Sequence, residues 1–182
     1  MKKHILKLSV FFLFAALLTS CNAEDTVLED ATVHSAKRGG FWDGIIGVDN
    51  GGGNYQITAD ASLLLASLEE QLLEDGDTVS LQTIDIQKRT AANDANDTGY
   101  LLIAGDKAGT SIGVMLTLGA NSTFKVAANP GVVGFEDPKS ISCRGCESGC
   151  NLEYFNMPGG KVPYCNTNGC GDYCTEVTKK LK

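Results

Sequence analysis

Apolar residues recur every three or four positions along Thr58 to Glu74 (TADASLLLASLEEQLLE). Ala61, Leu64, Leu65, Leu68 and Leu72 then share one face, which predicts an amphipathic helix. Thr58 or Asp60 is placed to cap its N-terminus by accepting a bond from a free backbone N–H. Gly76 can take the left-handed conformation that ends a helix. Glu69, Glu70, Glu74 and Asp75 gather near the C-terminal end, where the helix dipole disfavours anions. Packing of the leucine face must therefore hold the helix.

Beyond the helix the apolar period drops to two. Thr78 to Lys88 (TVSLQTIDIQK) reads as a strand, with Val79 and Leu81 on one phase and Ile84 and Ile86 on the other. That change of phase predicts a bulge near Gln82-Thr83, or a strand covered on both faces. Thr90 to Gly99 (TAANDANDTG) reads as a polar loop. Tyr100 to Ala104 is a short buried strand, and Gly105 to Gly109 a turn. Ser111 to Leu118 alternates, with Ile112, Val114, Leu116 and Leu118 on one side and Ser111, Gly113, Met115 and Thr117 on the other. Gly119 to Ser122 turns again, and Thr123 to Ala127 sets Phe124 and Val126 on one face. Short turns between strands imply antiparallel neighbours. Asn129-Pro130-Gly131 and Asp137-Pro138 mark further turns before a cysteine-rich end. The fold class expected is α+β: one main helix packed on a small antiparallel β-meander, followed by a disulfide-stapled C-terminal lobe.

The start of the chain has a different pattern. Met1 to Lys7 carries Lys2, Lys3 and Lys7 and no acid, and Leu8 to Leu18 is an unbroken run of apolar or small residues. A basic start, a short apolar run and small residues before a cut site predict a secretory signal peptide. The run is too short to span a membrane, which needs roughly 20 apolar residues. Residues 21–54 read as a flexible, glycine-rich tether. Phe41-Trp42 and Ile45-Ile46 interrupt it with a small apolar knot, expected to dock on the domain rather than stand exposed. The resulting division is a signal peptide over 1–20, a tether over 21–54, an α+β domain over 55–138 and a cysteine-rich lobe and tail over 139–182.

Leu18-Thr19-Ser20-Cys21 resembles the lipobox of bacterial lipoproteins, cut before the cysteine by signal peptidase II. The resemblance implies that Cys21 becomes the first residue and carries the lipid. It also implies that the chain sits outside the cytoplasm, held to a membrane by its N-terminal acyl chains. Asn22 in place of Asp is similar to lipoproteins sent to the outer membrane, and Glu24-Asp25 resembles the acidic tags of surface-exported lipoproteins of Bacteroidota. The rest of the chain is similar to short surface lipoproteins of that group, a resemblance that implies no activity.

Charge narrows the partners. Three of the 15 basic residues lie in the first 20, which hold no acid, so 12 basic residues face 22 acidic ones beyond them. Such a surface repels nucleic acid and anionic lipid. His4 lies in the signal peptide and His34 in the tether, so histidine-based catalysis or a multi-histidine zinc site has little to draw on. Asp94 to Gly99 resembles the start of an EF-hand calcium loop, but position twelve is Gly105 and the bidentate acid is missing. Turn-forming Asn and Asp account for that composition without metal.

Cys143, Cys146, Cys150, Cys165, Cys170 and Cys174 fall within 32 residues rich in glycine and poor in aliphatics. Such a segment needs staples. Three disulfides are the leading expectation in an exported protein, although six cysteines allow fifteen pairings. A zinc site remains open, because Cys143-x2-Cys146 and Cys165-x4-Cys170 approach a zinc-ribbon spacing. A redox role for Cys143-Arg144-Gly145-Cys146 is a third reading, without the helix and parallel sheet a thioredoxin-like site requires. Thr175 to Lys182 reads as a solvated tail.

No phosphate loop, nucleophile elbow or metal-hydrolase helix is present, and no catalytic residue, metal ligand or cofactor is assigned. The expected role is binding or structural rather than enzymatic: a lipoprotein anchored in the cell envelope, in the outer membrane. It would meet a protein or glycan at the cell surface through Tyr154, Phe155, Tyr164 and Tyr173. The alternative is a redox or zinc protein that uses the C-terminal cysteines.

Overall fold

Asp60 begins the main helix, α1 (Ala61–Glu74), by accepting bonds from the amides of Ser62 and Leu63. Gly76, at φ +86°, ends it: its amide donates to the Leu73 carbonyl and that of Asp77 to Leu72, each about one turn back. The computed structural model describes residues 40, 42–129, 131–146, 149–167, 169–170 and 174–181. These residues belong to a unit spanning Ser35–Lys182.

The strands are β1 (Gly47–Asp49), β2 (Tyr55–Ile57), β3 (Thr83–Ala91), β4 (Asp94–Gly105), β5 (Thr110–Leu118), β6 (Thr123–Val126), β7 (Lys139–Arg144), β8 (Asn151–Met157), β9 (Gly160–Asn166) and β10 (Thr175–Lys180). Among the described residues, eight make one antiparallel sheet, while β8 and β9 form a separate hairpin. β5 is its axis. β4 runs along one side of β5; on the other side β7 pairs with residues 110–114 and β6 with residues 116–118, end to end. β3 extends the sheet beyond β4, β10 beyond β7, and β1 then β2 beyond β6.

The sheet is buried on both faces. Leu101 and Leu102 are neighbours on β4, point opposite ways, and are both 0% exposed. Leu102, Ile112, Val114, Leu116 and Phe124 meet Leu64, Leu68 and Leu72 of α1 on one side. Leu101, Met115 and Ile141 meet Leu152 and Tyr154 of the hairpin on the other. The architecture is therefore three layers, helix, sheet and stapled hairpin, and strands dominate it more than the sequence implies.

Several expectations are corrected. Residues 42–54 are part of the fold, not tether: Trp42 and Ile46 are in the helix-side core, and β1 pairs with β6. Of the apolar knot, Trp42 and Ile46 dock as expected, the Trp42 indole Nε1 donating to Ser67 Oγ at 3.1 Å, whereas Ile45 is 48% exposed and Phe41 lies outside the described residues. The polar stretch Thr90 to Gly99 is no loop but the end of the β3–β4 hairpin, its turn made by Ala92-Asn93. Its polar side chains suit a rim that reaches past the core. The phase change at Gln82-Thr83 marks where β3 begins, and the register shift lies at Thr90/Ala91. Thr175 to Lys180 is the edge strand β10, not a free tail. Its Lys179 bonds Asp75 at 2.6 Å, Glu74 at 3.5 Å and the Gln71 carbonyl at 3.2 Å. A cation at the C-terminal end of α1 offsets both the dipole and the crowded acids.

The 139–182 segment is likewise no separate lobe, since β7 and β10 belong to the main sheet. Ser140 and Ser142 of β7 face α1, where Ser140 Oγ donates to Gln71 Oε1, and Arg144 pairs with Asp77 just past the helix. Ile141 and Cys143 face the hairpin.

Candidate functional site: the stapled hairpin

Three bridges staple this region, with Cα–Cα separations of 5.5, 5.5 and 5.3 Å: Cys143–Cys165 joins β7 of the sheet to β9 of the hairpin, while Cys146–Cys170 and Cys150–Cys174 link segments that flank the strands. The connectivity is first to fourth, second to fifth and third to sixth. Closing loops of 22, 24 and 24 residues is worth about 3.5 kcal/mol each in the chain-entropy account, less in sum because the loops interleave. The disulfide set expected from sequence is thus present. The four sulfurs of the zinc-ribbon spacing are taken up in two of these bridges, and the two cysteines of the C-x-x-C are bonded to different partners.

Alternation along β8 and β9 divides the aromatic residues. Leu152, Tyr154, Pro163 and Cys165 turn inward and are buried. Tyr154, nominated with the binding residues, is 0% exposed and closed to a partner. Its ring lies on Gly99, where a Cβ would sit a tight 3.0 Å from Tyr154 Cζ and the ring would have to give. Its phenol lies 3.0 Å from Asp97 Oδ2 and donates to it. Lys161 also holds Asp97, at 2.9 Å, and stands 5.1 Å above the Tyr154 ring. The Lys161 bond, with that of Tyr154, holds the Asp97 carboxyl below its usual range. Burial, then the bond to Asp97, pushes the Tyr154 phenol up. Gly113 is a second close approach: a Cβ there would lie 2.6 Å from Leu152 Cδ2 and 2.3 Å from the Leu102 carbonyl oxygen.

Glu153, Phe155, Met157, Val162 and Tyr164 alternate to the outer face of the hairpin. Phe155 and Tyr164 stack there at 4.1 Å with an interplanar angle of 16°. Tyr164 donates to Glu153 Oε2 at 3.0 Å, and burial with that carboxylate raises its phenol to about 12. Met157 beside them is 45% exposed. The structure thus brings Phe155 and Tyr164 together and turns Tyr154 away. Tyr173 and Cys21 lie outside the described residues.

Two shallow clefts flank the hairpin. One, of 370 Å³, runs between Tyr100, Leu118, Asn129 and Lys161. The other, of 430 Å³, lies between Lys107, Ser111 and Asn151. Neither is lined by a carboxylate, a histidine or a free thiol. No family model matches the chain, and no curated protein or solved structure matches it. Among the described residues no helix is long and apolar enough to cross a membrane.

Sequence reasoning missed the Asp97–Tyr154–Lys161 cluster. Asp97 and Gly99 were absorbed into a supposed loop. The usable signal was an Asp and a Gly two residues apart directly before the apolar run at Tyr100, which is how a polar rim enters a buried strand.

Proposed function

We propose that the protein is a lipid-anchored lipoprotein of the bacterial cell envelope, in the outer membrane, and that it works by binding or as a structural element rather than by catalysis. Cys21 is the lipid attachment point. The observation that carries this reading is the pairing of all six C-terminal cysteines in bridges, which persist where the surroundings are oxidising. It joins the lipobox-like Leu18-Thr19-Ser20-Cys21 from an independent direction.

The hairpin covers the face of the sheet opposite α1, and the Phe155–Tyr164 stack lies on its outer side. Rigid aromatics on a stapled strand pair bind at low entropic cost. The partner is a protein or glycan at the cell surface; the acidic chain is poorly suited to nucleic acid.

Metabolic labelling with a palmitate analogue tests the anchor: label and membrane association are expected on the native chain and should vanish in Cys21→Ala. Retention of the first methionine, with no acyl group, would end the proposal. Binding is tested by cross-linking on intact cells, where Phe155→Ala with Tyr164→Ala should remove an adduct that Lys107→Ala leaves in place.

A further inference from the structure

The sulfurs of Cys150, Cys165 and Cys174 lie within 4.8 Å of one another. Cys150 is bonded to Cys174 and Cys165 to Cys143, so two bridges meet and the fourth sulfur is one bond away. Four thiolates around a zinc ion, each about 2.3 Å from it, stand about 3.8 Å apart. To reach that spacing each bonded pair must part, and Cys143 Sγ, which is not among the three sulfurs grouped within 4.8 Å, must move toward Cys150 and Cys174. Cys143 is 0%, Cys150 2% and Cys165 7% exposed, and Cys174 is half-buried. The place is walled by Ile141, Leu152 and Tyr154. The remaining bridge packs nearby across Gly145, where a Cβ would lie 3.3 Å from both Cys150 Sγ and Cys170 Sγ. Cys150 itself sits at φ +57°, a left-handed conformation that costs a non-glycine residue.

We propose that these two bridges conceal a thiolate metal site, and that reduction of both lets Cys143, Cys150, Cys165 and Cys174 bind one Zn²⁺. This ligand set differs from Cys143, Cys146, Cys165 and Cys170, which the zinc-ribbon spacing suggests. The reductant is a dithiol or a phosphine. A dithiol gives two electrons and two protons to each bridge and leaves as a cyclic disulfide. A phosphine gives two electrons, takes its oxygen from water and leaves as the oxide, and the water supplies the two protons. Zinc then displaces one proton from each of the four thiols. Soft thiolates in a closed, apolar setting suit a tetrahedral structural zinc. The metal would hold the same segments that the bridges hold, so the hairpin keeps a staple when it loses two covalent ones. The inference is independent of the lipid anchor.

The test uses the full chain, purified oxidised and reduced with a phosphine, with and without equimolar Zn²⁺. Metal content is measured after removal of free ion, and alkylated cysteines are mapped by peptide mass. One zinc per chain is expected, with Cys143, Cys150, Cys165 and Cys174 alkylated about tenfold more slowly or less, because the bound thiolate is withdrawn from reaction. Cys146 and Cys170 should behave alike with and without zinc. The proposal is overturned if the reduced chain keeps no zinc, if protection falls on Cys143, Cys146, Cys165 and Cys170, or if the oxidised chain binds zinc equally with its bridges intact.

Discussion

Tyr154 of the hairpin and Asp97 of the sheet meet at 3.0 Å, a phenol donating to a carboxylate across the two layers, beside the Lys161–Asp97 ion pair that also joins them. Tyr154→Phe keeps the ring on Gly99 and removes a phenol that lies 3.0 Å from Asp97 Oδ2, 3.1 Å from the Asp97 carbonyl and 3.4 Å from the Arg89 carbonyl, while Lys161 still holds Asp97. Its expected cost is about 1 kcal/mol, the usual net worth of one hydrogen bond. Gly99→Ala drives a methyl into the ring and should cost more, about 1–3 kcal/mol, by overpacking. Urea denaturation of the oxidised protein ranks the two; a Tyr154→Phe loss larger than that of Gly99→Ala would contradict this account.

The same cluster contributes to the pH dependence of stability, and Tyr164 adds to its alkaline side. Asp97 titrates lower in the folded chain than when unfolded, so its contribution is present above its unfolded value, about 4, and is lost as pH falls through the folded one. Tyr154 and Tyr164 are raised, the latter to about 12. Their contribution is full below about 10, the unfolded value, and disappears as pH climbs beyond it. Denaturation midpoints against pH should show an acid limb that flattens in Asp97→Asn and an alkaline limb that flattens in Tyr154→Phe. Limbs unchanged in both variants would sink the assignment.

The helix and the β4–β5–β6 meander were legible because their apolar periods are long and clean. Asp60 and Gly76 marked the helix ends for the same reason: their effect is local. The covering of the second sheet face was not legible. Gly113 and Met115 look like the open side of β5, yet Gly113 is where Leu152 approaches, a contact between segments far apart in the chain. Thr175 to Lys180 was read as solvated because its residues are mostly polar. An edge strand at the rim buries little, so composition hides it. The bridges were expected as a set, but their order depends on which strands β7 and β10 join. Phe155 and Tyr164 share a face and Tyr154 does not, an outcome of simple alternation once Asn151 to Met157 is known to be a strand.

Lys179 and Lys180 offer a matched pair. Lys179 is three-quarters buried against Asp75, itself 15% exposed, and donates to the Gln71 carbonyl. Lys180 makes an ion pair with Asp137 of similar length, but the two side chains are 66% and 58% exposed. Solvent screens the second and not the first. Lys179→Met should lower the denaturation midpoint clearly and Lys180→Met barely. High salt should narrow the gap only slightly, because a sheltered pair at a helix terminus is less screened. Equal losses would show that Lys179 does not cap the helix.

Trp42 belongs to the folded domain. It is 5% exposed, bonds Ser67 on α1, and is the only tryptophan of the chain. Trp42→Ala leaves a large void and should cost about 3–5 kcal/mol, whereas Ser67→Ala, which removes the indole's acceptor, should cost about 1–2 kcal/mol. A chain cut to begin at residue 40 should keep its unfolding midpoint and the blue-shifted emission of a buried indole. One cut to begin at residue 55 loses Trp42, Ile46 and β1, and with them the strand that pairs with β6. That chain should be strongly destabilised even though it retains the whole helix, the meander and all three bridges. Undiminished stability from residue 55 onward would return residues 42–54 to the tether.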